Sequence, residues 1–370
     1  MEEEDLLYML ALQTTSGIGP ITAKRLLEYF GSAKAVFQAK EKEVSAVHRV
    51  GYLLWKNIQD VTVLKRAEQE IKNIMTYNLS CFSYKDSMYP SLLRECEDSP
   101  ILFFSTSDKL NLNNRKVISF IGTRNPSKRG IDLCKEFIEE LKLYNPVIIS
   151  GLAYGVDVTA HLAALENGLD TYAVLGHGLN RVYPDIHTSV ANKINESGGA
   201  CISEFWMNSR VDRENFIQRN RIVAGMSQAT IVIESAIKGG SMSTINFAND
   251  YNRDVFAVPG RVGDIMSEGC NNVIKKNRAQ LLTSASDIIE ALSWDSVSKA
   301  PKIIQPQLFV DLSGEEELVV SFLGKCDREL LDIIALSCSL PIYKVSSILL
   351  NLEMIGLVRP LPGKYFELVR

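Results

Sequence analysis

The sequence predicts an α/β protein in which a doubly wound, mostly parallel sheet follows a helical domain and precedes a winged-helix-like domain. Between residues 115 and 293, short apolar runs alternate with helical stretches; the runs are VISFIG, VIISG, TYAVLG, ACISEF, ATIVIES, VFAVPG and QLLTSA. Strands that are apolar almost throughout are covered by helices on both faces. Repeated strand–helix units form parallel sheets with right-handed crossovers.

Both ends of the chain have a different pattern. Apolar residues recur at helical spacing in LLYMLAL and AKRLLEYF near the N-terminus. Near the C-terminus, ELLDIIALSCSL, KVSSILLNLEMIG and LVRPLPGKYFELV predict helix, helix and β-hairpin, an order that suits a winged helix-turn-helix. Pro301 and Pro306 interrupt the pattern between these parts. We expect a helical domain over 1–75, an α/β domain over 76–293 with 76–114 as its N-terminal extension, a linker over 294–312 and a winged-helix-like domain over 313–370.

Composition indicates a protein of the cytoplasm. The 370 residues are 46% hydrophobic and 23% charged, and no apolar run is long enough to span a bilayer. The acidic start, MEEED, is unlike a secretory signal. The 7 cysteines are scattered without a CxxC pair, as expected for reduced thiols. We therefore expect a cytoplasmic location and no membrane partner.

The charge balance argues weakly against a nucleic-acid partner, because phosphate binding needs clustered Lys and Arg. The net charge is −4 and the pI about 5.8. However, the segment RKVISFIGTRNPSKRG, residues 115–130, carries several basic residues and no acidic one. An acidic protein with one basic cleft is physically reasonable.

The first candidate site is GTRNPSKRG, residues 122–130, directly after a predicted strand. Ligands of open α/β sheets bind outside the carboxyl ends of the strands, where helix N-termini receive anions. Arg124, Lys128 and Arg129 add positive charge. The alternative is a surface turn with solvated charges. The GxGxxG fingerprint is missing, which disfavours an ordinary dinucleotide cofactor, so we expect no cofactor.

The second candidate turn is SGLAYGVDVTAH, residues 150–161. Gly151 and Gly155 would permit close approach to a phosphate. Asp157 and His161 share a helix face and could form a base with its orienting carboxylate. A structural hydrogen bond is the favoured interpretation, because no nucleophile is identifiable beside them.

The third turn, LGHGLNRVYP, offers a weaker candidate. His177 and His187 could join His161 as metal ligands, but their spacing matches no metal signature, so no metal is expected. Tyr183 and Pro184 are interpreted as turn and packing residues.

The most informative segment is ENFIQRNRIVAGMS, residues 214–227. Phe216, Arg219 and Asn220 fall on one helical face. An aromatic ring beside a guanidinium and an amide is suited to stacking a base and gripping its phosphate. Arg221 points elsewhere and would anchor structure or reach a second phosphate. Alternatively, Phe216 is a core residue and the arginines pair with nearby acidic residues.

Two further turns could meet phosphate. In ESAIKGGSMSTINFA, Gly239 and Gly240 open a helix beside Lys238, but the GK[ST] ending of a P-loop is absent, so triphosphate hydrolysis is not supported. In SGIGPITAKRLLEYFG, Gly17 and Gly19 form the turn of a helix-hairpin-helix or of a plain helical pair. Several phosphate-binding turns along one sheet edge suit a polyanion better than a small molecule.

Taken together, these segments resemble the DprA (Smf) family of DNA-processing proteins. The motifs occur in the family's order: MYPSLL, DSPILFF, GTRNPSKRG, SGLAYGVDVTAH, AVLGHGLNRVYP, ISEF, FIQRNRIVAGMS, VIESAIKGGSMST and VFAVPGRVGDIMSEGCNNVIK. The resemblance implies a cytoplasmic homodimer that binds single-stranded DNA in a positive pocket of a Rossmann-like domain, without catalytic activity. It also implies contact with RecA, which the family loads onto DNA covered by single-strand-binding protein.

Carried over by motif, the resemblance implies DNA contacts at Arg124, Phe216, Arg219, Asn220 and Arg221. The remaining candidates are basic or glycine residues of the turns: Lys128, Gly151, Gly155, Lys238 and Gly240. Two other functions compete. One is a nucleotide-processing enzyme related to lysine-decarboxylase-like proteins, although KGGSMST lacks the Glu of their PGGxGTxxE motif. The other is a transcription factor, although the predicted recognition helix KVSSILLNLEMIG has one basic residue.

Overall fold

The structure is a computed structural model that describes residues 2–294, 312–326, 328–355, 357–361 and 363–368. The chain divides into two compact units, Met1–Asp295 and Ser296–Arg370. The predicted linker over 294–312 lies outside the described residues except at its two ends.

The first part of the first unit is helical, as predicted. Its apolar residues recur at helical spacing: Val63, Ala67, Ile71 and Ile74 are buried along one helix, which Asp60 caps by accepting from the Thr62 amide. These side chains form a core with the other helices. The helices are α1 (Glu3–Thr14), α2 (Pro20–Phe30), α3 (Ala33–Gln38), α4 (Glu41–Val44), α5 (Tyr52–Ile58) and α6 (Val61–Thr76).

Within residues 2–294, nine strands form one sheet in the order β1-β2-β6-β5-β4-β3-β7-β8-β9. Strands β3 to β9 pair in parallel, whereas β1 pairs with β2 and β2 with β6 in antiparallel fashion. The strands are β1 (Ser80–Ser83), β2 (Leu102–Ser105), β3 (Val117–Ile121), β4 (Val147–Ser150), β5 (Thr171–Val174), β6 (Ala200–Ser203), β7 (Ala229–Val232), β8 (Asp254–Ala257) and β9 (Gln280–Leu281).

Helices cover both faces of this sheet, because neighbouring strand residues point to opposite sides. Val147 and Ile149 pack with residues of α11 to α13, whereas Ile148 packs with residues of α8, α9 and α14. The helices are α7 (Ser91–Arg94), α8 (Lys128–Leu141), α9 (Val156–Glu166), α10 (Thr188–Glu196), α11 (Arg213–Gly225), α12 (Ser241–Asp250), α13 (Glu268–Lys275) and α14 (Ala285–Ala291), with 3₁₀ turns at Lys142–Tyr144 and Asp185–His187.

The predicted doubly wound, mostly parallel sheet is confirmed, and each predicted apolar run contains a strand. Strands β1 and β2 were not predicted. Both are only four residues long, and their antiparallel pairing lies outside the repeated strand–helix pattern. The strand order reverses at β3, whose neighbours are β4 and β7. Such a reversal opens a crevice at the carboxyl ends of the strands.

The second unit has the predicted order of helix, helix and hairpin, and the winged-helix-like prediction is confirmed. Its described elements are α15 (Gly314–Leu323), β10 (Glu329–Leu330), α16 (Leu331–Ser337), α17 (Ile342–Met354), β11 (Val358–Leu361) and β12 (Tyr365–Leu368). The strands pair in the order β10-β12-β11. Among the described residues, no single helix is long and apolar enough to cross a membrane; α16 and α17 meet that test only as a pair, bent by 108°.

Candidate functional site

A cavity of about 710 Å³, here called the rim cavity, opens where β3, β4 and β7 end. Its walls come from the turns that follow these strands and from one face of α11. The candidates among its lining residues are Arg124, Gly151, Phe216, Arg219, Asn220, Lys238 and Gly240. Residues far apart in the chain therefore meet at the predicted edge of the sheet.

Phe216, a half-buried residue, lines the rim cavity, and two guanidinium groups lie near its ring. The Cζ atoms of Arg124 and Arg219 are each 5.9 Å from the ring centroid. Arg124 and Arg219 thus share one groove, although they come from different turns. Arg124 is exposed, whereas Arg219 is buried. The site therefore combines one accessible cation with one fixed cation around an aromatic ring.

Arg219 is bonded to the sheet edge itself. Its Nη1 donates to the carbonyl of Gly151 at 2.7 Å and to that of Val174. Its Nε donates to Asn220 Oδ1 at 3.1 Å. Burial lowers the pKa of Arg219 to about 10, and the nearby Asp157 carboxylate opposes this lowering. The guanidinium stays charged at neutral pH, but some of its N–H groups already donate hydrogen bonds to the protein.

Gly151 and Gly155 were predicted to let a phosphate come close to the backbone. In the structure, the protein's own atoms fill the space beside each glycine. A side chain at Gly151 would overlap the Arg219 guanidinium. Gly155 has φ of +79°, and a side chain there would overlap the carbonyl of Thr123. Both glycines therefore make room for the protein's own atoms, because the turns after β3 and β4 pack against each other.

The turn that contains Lys238 and Gly240 forms another wall of the rim cavity. Lys238 and Gly240 are exposed at the start of α12. Asn220 ties this wall to α11, since its Nδ2 donates to Ser243 Oγ at 2.9 Å. The spacing of Phe216, Arg219 and Asn220 therefore places all three on the cavity face of α11, as predicted.

Two predicted contacts lie elsewhere. Arg221 is buried, forms an ion pair with Glu204, and donates to the carbonyl of Asp98 at 2.7 Å. The geometry favours its anchoring role over the predicted DNA contact, because these bonds already occupy the side chain. Lys128 is exposed at the first position of α8 and does not line the rim cavity.

Tyr183 is a lining residue that the sequence interpretation assigned to packing. Its side chain is 44% exposed, and its ring centroid lies 5.9 Å from that of Phe216. The only signal was its place in a turn after a strand. A second aromatic ring therefore borders the groove.

Asp157 and His161 are both buried, and the structure gives them separate partners. His161 Nδ1 lies 2.7 Å from Thr171 Oγ1, and burial lowers the pKa of His161 to about 3. Burial raises the pKa of Asp157, while the charge of Arg219 and the amide of Ala153 oppose that shift. This arrangement supports the structural interpretation of the pair over the acid–base one.

The other two histidines considered as metal ligands lie close to carbonyl groups: His177 Nδ1 is 2.9 Å from the oxygen of Gly178, and His187 Nδ1 is 2.8 Å from that of Leu152. Among the described residues, no group of three or more His, Cys, Asp or Glu side chains could hold a metal ion.

Comparisons with known proteins identify the family of this chain. Residues 80–293 match the family described as DNA recombination-mediator protein A, and residues 305–364 match the DprA winged helix domain. The chain is 33% identical to Protein Smf of Escherichia coli (strain K12), over 76% of this chain and 75% of that protein.

Two solved structures are similar. DNA processing protein A from Streptococcus pneumoniae superposes with a TM-score of 0.65 at 30% identity, covering 77% of this chain and 97% of that one. The Helicobacter pylori protein, whose structure was reported for its single-stranded DNA binding mode, superposes with a TM-score of 0.53 at 27% identity, covering 59% and 96%. The resemblance drawn from the sequence motifs is confirmed.

Replacing Arg221 should destabilise the fold. Arg221→Met leaves the Glu204 carboxylate buried without its counter-charge, which costs about 3–5 kcal/mol of unfolding free energy. Urea unfolding measures this loss. Arg213→Met, an exposed position on the same helix, is the control and should change stability by less than about 0.5 kcal/mol. Full stability of Arg221→Met would contradict the anchoring role.

His161 should make stability depend on pH. The pKa of His161 in the folded protein lies below the ordinary value, so below about pH 6.5 the imidazole is protonated in the unfolded chain but not in the folded one. The free energy of unfolding therefore falls as pH drops below about 6.5. From pH 7 to 4, the wild type should lose roughly 3 kcal/mol more than His161→Gln. Urea unfolding at several pH values tests this. His48→Gln, at an exposed position, is the control and should show the same dependence of stability on pH as the wild type. The same dependence in His161→Gln would refute the role given to His161.

Proposed function

The chain belongs to the DNA recombination-mediator protein A family, and on that premise we propose that it binds single-stranded DNA without cutting it. The observation that carries the proposal is the convergence of Arg124 and Arg219 on the ring of Phe216 in the rim cavity. The single-stranded DNA binding mode reported for the Helicobacter pylori relative supports it.

Each part of this arrangement suits an unpaired strand. Bases of single strands stack on aromatic rings, and every base has a face that can do so. Phe216 would stack a base, with Tyr183 beside it for a neighbouring base. Exposed Arg124 and Lys238 would hold phosphates on either side. Duplex DNA keeps its bases within the stack, so this groove favours unpaired DNA.

Arg219 contributes differently from Arg124. It is fixed by carbonyl groups at the floor of the cavity, so it supplies a positive field and orients Phe216. Electrostatic attraction from such fixed and mobile cations would give affinity that falls steeply with salt and depends little on sequence.

We further propose that the protein protects incoming single strands. It would also load RecA onto these strands while single-strand-binding protein covers them. Family membership and the description of the family as a recombination mediator support this role. We propose that it acts as a cytoplasmic homodimer during DNA uptake and that the rim cavity holds the strand during transfer.

Two substitutions test DNA binding. Phe216→Ala should weaken single-strand affinity by about 1–3 kcal/mol, because the stacked base loses its platform. Arg124→Ala should weaken single-strand affinity, because one phosphate contact is lost. It should also lower the slope of log affinity against log salt concentration by about one. Fluorescence anisotropy over a salt series measures both effects. Arg129→Ala is the matched control, since Arg129 is exposed in the same segment but does not line the cavity.

Wild-type affinity in both Phe216→Ala and Arg124→Ala would place the binding site elsewhere. Tighter binding of duplex than of single strands at every salt concentration would contradict the proposed function itself.

RecA transfer is tested separately by the lag before RecA hydrolyses ATP on a strand covered by single-strand-binding protein. The wild-type chain should shorten this lag, and Arg124→Ala should shorten it less, because it holds the strand more weakly. A lag unchanged by the wild-type chain would refute the transfer role while leaving DNA binding intact.

A further inference from the structure

A second cavity, of about 470 Å³, lies beyond β6 and is here called the helix cavity. Residues of α1, α2 and α6 line one side of it, and residues after β6 line the other. It is separated from the rim cavity by α11, since Gln218 lines the helix cavity while Phe216 and Ile217 line the rim cavity. Both cavities therefore border the carboxyl edge of the same sheet.

The helix cavity contains an aromatic ring and a guanidinium, like the rim cavity. The Cζ of Arg66 lies 5.9 Å from the ring centroid of Trp206. Arg66 is exposed, and its Nη2 donates to Thr14 Oγ1 at 2.9 Å, which orients the guanidinium. Guanidinium planes stack unpaired bases as aromatic rings do.

Glu204 supplies a hydrogen-bond acceptor to this cavity. The residue is only 8% exposed, and it lines the cavity. One carboxylate oxygen pairs with Arg221, while Oε1 is buried without a hydrogen-bond partner among the described residues. Leaving a buried acceptor unsatisfied costs free energy, so the site favours a ligand that donates a hydrogen bond there.

The third component is the start of α2. Gly19 caps this helix without a side-chain hydrogen bond, and Gly19 and Pro20 line the cavity. A helix N-terminus favours an anion such as phosphate, although Pro20 itself has no N–H to donate. Gly17, the other glycine of the predicted hairpin, has φ of +81°, and a side chain there would overlap Leu54.

A continuous segment joins the two cavities. Asn208 and Ser209 line the helix cavity, and Val211 to Arg213 line the rim cavity. Arg210 is exposed between them. A strand that leaves the rim cavity along this segment would pass a cation before it reaches the helix cavity.

We propose that the helix cavity is a second subsite for the same single strand, in which a base stacks on Arg66 and donates its exocyclic amino group to Glu204. Cytosine, adenine and guanine carry such an amino group, and thymine does not. This inference rests on the proposed function and adds a modest base preference at one position.

The test uses the full chain and two labelled oligonucleotides, dC20 and dT20, in anisotropy titrations at one salt concentration. The wild type should bind dC20 about threefold more tightly than dT20, since only cytosine donates to Glu204. Arg66→Ala and Arg66→Lys should both weaken binding of dC20 about five- to tenfold, because both lose the planar guanidinium. Lys65→Ala, which removes an exposed charge one residue away, should bind like the wild type.

Several outcomes would overturn the proposal. Wild-type affinity in Arg66→Lys would show that charge alone acts, and wild-type affinity in Arg66→Ala would show no contact. Equal wild-type affinity for dC20 and dT20 would remove the assigned role of Glu204. Weak binding by Arg124→Ala with normal binding by the Arg66 variants would refute the second subsite alone, whereas normal binding by all of them would refute both sites.

Discussion

The guanidinium of Arg219 donates to carbonyl groups at the ends of two neighbouring strands, β4 and β5. A buried charge is costly unless it is paired and hydrogen-bonded. Here the nearby Asp157 carboxylate offsets its charge, and backbone carbonyl oxygens accept hydrogen bonds from it. The position of α11 relative to the sheet edge depends on these bonds. Gly151 must lack a side chain for the same reason, because the guanidinium occupies that space.

Arg221 holds the same helix from another direction. It pairs with Glu204 after β6 and bonds to the carbonyl of Asp98. Two buried arginines, two positions apart, therefore tie α11 to β4 and β5 on one side and to β6 on the other. This double attachment fixes Phe216 before any ligand arrives. A binding surface that is already ordered loses less conformational entropy on association, which favours affinity.

The groups that would meet a strand are arranged around this fixed helix. Arg124 and Lys238 are exposed and can adjust to phosphates, whereas Phe216 and Arg219 are held in place. The chain carries a net charge of −4, yet four cations line the rim cavity: Arg124, Arg213, Arg219 and Lys238. A local positive cleft on an acidic protein concentrates a polyanion there and disfavours non-specific adhesion elsewhere.

The sequence by itself determined the strands of the parallel sheet, because buried strands between helices must be apolar almost throughout. It also placed Phe216, Arg219 and Asn220 on one helical face, because that follows from 3.6 residues per turn. Only the tertiary structure decided which arginines are free. Burial of Arg219 and Arg221 depends on Val174, Glu204 and Asp98, which lie far away in the chain. The uses of Gly151 and Gly155 were likewise decided by turns that meet only in the folded sheet, since no local pattern records which atoms fill the space beside a glycine.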